Sequence, residues 1–198
     1  METQNIKPIV EAILFSSDAP VPLEKLRSII ETAGTRQIQE SIKLLNGEYG
    51  AEGRSFHIIE VAGGFQFATH PRYASWIKKL FRGRRLPRLS QAALESLAII
   101  AFKGPIIRAE IEAIRGVNVE GVLKTLLERN LITVMGRQHA PGRPLLYGTT
   151  QDFLIYFGIN SLSDLPQPKE LEEIMSQEQD LFDREEVLVS TEEKHASQ

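Results

Sequence analysis

The apolar residues of this chain are spaced as three short amphipathic helices followed by a two-stranded hairpin, and the series then occurs a second time. Ile6, Ile9, Val10, Ile13 and Leu14 fall at i, i+3, i+4, i+7 and i+8, which makes one stripe on a helix ending near Ser16. After the Asp18-Ala19-Pro20 break, Pro22 suits a first helical turn, and Leu23, Leu26, Ile29 and Ile30 carry a second helix to Gly34. Thr35 is expected to cap a third helix bearing Ile38, Ile42, Leu45 and Tyr49, with Gly47, Gly50 and Gly53 breaking the pattern. Phe56–Val61 and the alternating Phe65, Phe67 and Thr69 read as a hairpin about a Gly63-Gly64 turn, and a helix over 71–81 closes the unit.

The second round opens with Ser90 as a cap and Leu94, Leu97, Ala98, Ala101 and Phe102 as the stripe, ended by Gly104-Pro105. Ile107, Ile111 and Ile114 mark a short helix stopped by Gly116, and Asn118 is expected to cap the next, with Val119, Val122, Leu123, Leu126 and Leu127. So short a link, containing Gly, is that of a helix-turn-helix. A strand over 131–135, a Gly- and Pro-containing loop over 136–143 and a returning strand over 144–147 add the wing. Thr69, Tyr73 and Ile77 stand eighty positions before Thr149, Phe153 and Phe157, as a duplication requires, although such residues are also ordinary helix core. The fold class expected is mainly α with small β-hairpins, as tandem winged-helix domains at 1–83 and 84–165, followed by a tail at 166–198. A length of 198 residues accommodates two such cores.

Composition closes off most chemistry. The chain has no Cys, which removes disulfides, thiolate metal sites and cysteine nucleophiles and asks for no oxidising compartment. His57, His70, His139 and His195 show no metal-binding helical pair, and neither a phosphate-binding loop nor a GxSxG elbow occurs. Glu110 and Glu112 lie two apart and point to different helix faces. The expectation is a protein with no catalytic residues, no cofactor and no metal. No apolar run is long enough for a membrane span and the first residues do not resemble a secretory signal, so a cytoplasmic address is expected.

Charge is unevenly spread. From Pro166 onward ten acidic residues face Lys169, Arg184 and Lys194, a composition expected to be disordered, while the preceding residues are mildly basic. The stretch 61–94 holds no Asp or Glu but contains Arg72 and a candidate phosphate-binding patch of Lys78, Lys79, Arg82, Arg84, Arg85 and Arg88. A solvated linker, or a surface for an acidic partner, explains it equally well. The third helices read poorly as DNA readers. Glu120, Lys124, Glu128 and Arg129 in one balance to zero, and Gln37, Gln39, Glu40, Lys43 and Glu48 in the other are net acidic. Protein binding is the better use of these folds, with a winged-helix DNA-binding transcriptional regulator as the alternative.

The stretch LSQAALESLAIIAFKGPIIRAEIEAIRGVN over 89–118, GVLKTLLERNLI from Gly121 and GRQHAPGRPLLYGTT from Gly136 closely resemble the bacterial segregation and condensation protein B family. The EAILF run of the first helix and GGFQFATH from Gly63 are similar to it as well, so the resemblance spans roughly 5–165. It implies a non-enzymatic subunit of the bacterial condensin built around the SMC ATPase, active in chromosome condensation and segregation and associated with the nucleoid. It also implies a homodimer paired through the first domain, with the kleisin subunit, segregation and condensation protein A (ScpA), gripped largely by the second; any DNA contact, through the basic patch, is expected to be non-specific. Ile107-Arg108 departs from the Thr or Ser expected near the start of the second helix. Within the matching GRPLLYGTT, Pro144 is expected to open an edge strand and Gly142 and Gly148 to serve turns. Arg137, Arg143, Leu145 and Tyr147 are the candidate partner-binding residues, with core packing an equal alternative for Tyr147.

Overall fold

The first stripe forms α1 (Lys7–Ser16), buried through Val10 and Leu14, and the second forms α2 (Leu23–Ile29), buried through Leu26. These and all following elements belong to a computed structural model that describes residues 6–81 and 88–165. The third helix, α3 (Thr35–Ala51), starts one residue earlier than expected: Thr35 is its first helical residue, and the amide of Gly34 before it donates to Gln37 Oε1 at 2.9 Å. Nor do Gly47 and Gly50 break it. Each glycine costs a helix about 1 kcal/mol, but continuing it buries Tyr49, whose hydroxyl donates to Glu11 Oε1 at 2.6 Å and whose ring lies 5.0 Å from that of Phe56 and 6.0 Å from that of Phe67.

The hairpin of β2 (Phe56–Val61) and β3 (Gly64–Thr69) turns on Ala62 and Gly63 rather than on the glycine pair, with φ of 52° and 70°. Two successive left-handed residues match the twist of a tight hairpin. A third strand, β1 (Val21–Pro22), pairs along the other side of β3 and gives the order β1-β3-β2. The helix expected over 71–81 is divided into a 3₁₀ turn, Pro71–Tyr73, and α4 (Ala74–Leu80), which has no buried residue.

The second module repeats the plan. In α5 (Gln91–Lys103) the Ser90 hydroxyl accepts the Ala93 amide at 3.3 Å. Its buried face is Ala93, Ser96, Leu97, Ile100 and Ala101, so the stripe is rotated from the expected one, leaving Leu94 half-buried and Phe102 exposed. Next come β4 (Ile106–Ile107), α6 (Arg108–Arg115), ended by left-handed Gly116, and α7 (Glu120–Glu128), where Asn118 Oδ1 accepts the Glu120 amide at 3.0 Å. The wing is β5 (Ile132–Arg137) and β6 (Leu145–Thr149), followed by α8 (Gln151–Phe157), which Thr150 caps and Phe153 anchors in the core. The sheet order is β4-β6-β5, the same as in the first module, and Thr69 and Thr149 each end a central strand. Because β6 is central, Pro144 does not open an edge strand; it precedes β6, where no ladder amide is required of it.

This is a mainly helical tandem winged-helix fold. One core gathers Val10, Leu14, Leu26, Ile38, Leu45 and Ile58; the other contains Leu97, Ile100, Ile111, Leu126, Ile132 and Phe153. Both modules lie within one compact unit, Met1–Leu162. They meet at the first hairpin tip, where the Ala62 amide donates to the Ile159 carbonyl at 2.9 Å and Gln151 Nε2 donates to the Ala62 carbonyl at 3.3 Å. No helix among the described residues is long and apolar enough to cross a membrane. Arg82, Arg84, Arg85 and the acidic tail from Pro166 lie outside the described residues.

Candidate partner-binding surface

The helix-turn-helix of the second module spends its charges on itself. Arg108 Nε donates to Glu112 Oε1 at 2.8 Å and Arg108 Nη1 pairs with Glu120 at 3.0 Å, while the same Glu112 oxygen accepts the Val119 amide at 3.2 Å. The Arg108 hydrogen bond, then the Val119 amide, hold the Glu112 carboxyl below the usual carboxylate range, and the bond to Glu112 raises the Arg108 guanidinium. No Ser or Thr caps α6; Glu110 reaches back to accept the Ile107 amide at 3.2 Å. Arg115 ties α6 to α5: Nη1 donates to the Ala92 carbonyl and to Ser96 Oγ, both at 2.7 Å, and Nη2 pairs with Glu95 at 2.7 Å. On α7, Lys124 is paired with Glu128. A helix whose N-terminal carboxylate is held in place has little to offer a phosphate backbone.

The wing beside it is stiffened from within. Gln138 donates its amide to the Pro144 carbonyl at 2.9 Å, Arg143 donates its amide to the Ala140 carbonyl at 2.9 Å, and Arg137 Nη1 donates to the Arg143 carbonyl at 3.1 Å. Two of the sequence-derived residues are thus brought together, with Arg137 bracing the backbone at Arg143, which adopts a left-handed φ of 42°. Leu145 lies opposite Arg137 in the ladder and is half-buried. Tyr147 is only 9% exposed and stands between Ile106 and Val134 in the sheet, so its ring packs in the core.

Sequence reasoning missed Val134 and Met135, which are exposed on edge strand β5, Met135 by 61%. The register shifts between Val134 and Gly136, a bulge that leaves Met135 without a partner in the ladder. Gly148 is not at a turn. It lies mid-strand beneath the Met135 side chain, which occupies the space a Cβ would take. The one available signal was Gly136 directly after two apolar residues, a mark of a bulge. Val134 and Met135 are exposed apolar residues of the wing, Leu145 is half-buried, and Arg137 and Arg143 lie towards the same end of the hairpin.

Of the described part of the basic patch, Lys78 and Lys79 lie in the first module and Arg88 just ahead of α5 in the second. Lys79 is exposed with its Nζ 5.0 Å from the Trp76 ring centroid, Lys78 is half-buried and Arg88 is exposed. Nearby, the His57 and His70 rings stack at 4.4 Å, and desolvation, followed by His57 and Arg72, pushes the His70 imidazole below its ordinary value. No group of three metal-ligating side chains occurs among the described residues.

The family model for segregation and condensation complex subunit ScpB matches residues 8–168. Segregation and condensation protein B of Syntrophotalea carbinolica is 44% identical over 182 residues, covering 92% of this chain and 91% of that protein. Its counterpart in Moorella thermoacetica is 44% identical over 164 residues, covering 83% of each. A solved structure described as a dimer of the ScpB N-terminal domain complexed with ScpA peptide is 31% identical, covers 37% of this chain and 88% of that one, and has a TM-score of 0.35.

Proposed function

The chain belongs to the segregation and condensation complex subunit ScpB family, and from that premise we propose that it is a non-enzymatic subunit of the bacterial SMC condensin, a homodimer that binds the kleisin subunit ScpA and supports chromosome condensation and segregation. The observation that carries this reading is the family match, which runs through both winged-helix modules. The engaged charges of α6 and α7 favour it over a sequence-reading regulator.

In this reading residues 1–83 dimerise and 84–165 supply the larger part of the hold on ScpA through the wing, at Val134, Met135 and Leu145 with Arg137 and Arg143 beside them, while Tyr147 packs in the core. The SMC ATPase, and DNA with it, is reached through the complex. Because the contact buries apolar area, it depends only weakly on salt. The mass of the purified chain, alone and mixed with ScpA, tests this. The expected result is a dimer that takes up ScpA at micromolar concentration, and a Met135→Asp chain with unchanged circular dichroism that binds at least about ten-fold more weakly. A correctly folded chain that stays free of ScpA at micromolar concentration overturns it.

A further inference from the structure

The acid-free stretch 61–94 lies outside the wing residues proposed above to hold ScpA. Its described core is α4 with the turn before it, and this element is unusual in what it shows to solvent. No residue of α4 is buried, Trp76 is 69% exposed and Leu80 is 77% exposed. Each of its two larger rings already carries a cation: Arg72 Cζ lies 4.9 Å from the Tyr73 centroid and Lys79 Nζ 5.0 Å from the Trp76 centroid. Tyr73 ends the 3₁₀ turn and Trp76 lies three residues on, in the first turn of α4. Aromatic faces next to cations, with no carboxylate in the stretch to repel phosphate, are how proteins hold unpaired strands.

We propose that α4 and the turn before it form a binding site for single-stranded nucleic acid, with Arg72, Lys78 and Lys79 on phosphates and a base stacked on Trp76. Duplex DNA offers the cations the same phosphates but keeps its base faces stacked away from the indole. An acidic polypeptide satisfies the cations and leaves the indole idle. The face therefore fits an unpaired strand better than either.

Trp76 is the chain's one tryptophan, so its emission reports on the site directly. Titrating the full chain with a 20-nucleotide oligo(dT) quenches that emission. Trp76→Ala weakens oligo(dT) binding about ten-fold while leaving affinity for duplex of the same length unchanged, and Trp76→Phe retains most of the affinity. Lys79→Gln lowers the slope of log affinity against log salt by about 0.7. ScpA uptake by all three variants is unchanged, which separates this site from the ScpA-binding patch. Emission that oligo(dT) never alters, as when a second copy covers the indole, overturns the proposal. So does a Trp76→Ala chain that loses single-strand and duplex affinity equally, or polyglutamate binding as tight as oligo(dT), which assigns the face to an acidic protein.

Discussion

The third helix of the first module runs 17 residues and that of the second nine, and the two modules are closed by different chemistry as a result. The long α3 carries Tyr49 back over the hairpin, where it joins Phe56 and Phe67, while Phe15 leans edge-on against Phe67 at 6.2 Å. Buried Tyr49 and the partly buried Phe56 and Phe67 bring a large apolar area to a small core, while Phe15 stays exposed. The short α7 has no such reach. There the guanidinium of Arg115, its side chain 13% exposed, joins α5 to α6, and Arg108 joins α6 to α7. Modules of this size are marginal on apolar burial alone. One topology thus tolerates two supplements, aromatic area or buried hydrogen bonding, according to how far its third helix extends.

Three measurements bear on this contrast. The largest effect comes from what the modules share: Ile38 and Ile111 are both fully buried, and truncating either to Ala costs about 2–5 kcal/mol in denaturant unfolding. A loss below about 1 kcal/mol at one site would show that its core is not comparable to the other. Next is the supplement itself. Arg115→Ala strands the Ser96 hydroxyl and Ala92 carbonyl and costs about 1–3 kcal/mol, and Arg115→Lys restores less than half because an ammonium lacks the planar fork. Tyr49→Phe removes only the bond to Glu11 and costs about 1 kcal/mol, since the ring contacts remain. Equal losses at Arg115 and Tyr49 would show that the two modules are closed alike.

The smallest effect is the order of events on acidification, followed by fluorescence and hydrogen exchange. The folded state holds the His70 pKa below its ordinary 6.5. Its contribution is therefore full above about pH 6.5 and is lost as the pH falls from there through the depressed folded value. Glu112 is likewise depressed from 4.5, so its contribution is full above that value and is lost only as the pH falls further, through its own folded value. The His57–His70 strand end of the first module should loosen before the α6–α7 junction of the second, and His70→Gln should abolish the earlier step alone.

The apolar spacing made most of the helices legible, because residues such as Val10, Leu14, Leu26, Leu123 and Leu126 have no other way to leave water. Two-residue strands were beyond it: β1 and β4 are too short to alternate and exist only because β3 and β6 accept them. Helix α3 crosses Gly47 and Gly50 because of where Tyr49 lands, a tertiary fact that local propensity does not contain. The partner surface was legible as a wing, through its Gly and Pro punctuation, but not residue by residue. Met135 stands unpaired on the edge strand, and the central position of β6 buried Tyr147.

At the tip of the first hairpin, one alanine is held by the other module through its backbone alone. Ala62 takes part through its backbone, but it is buried with a left-handed φ and one of the bonds comes from the Gln151 side chain, so the joint depends on both residues. Swinging the modules apart must release both bonds, at about 0.5–1.5 kcal/mol each. Two bonds of that size make the joint a detent rather than a weld.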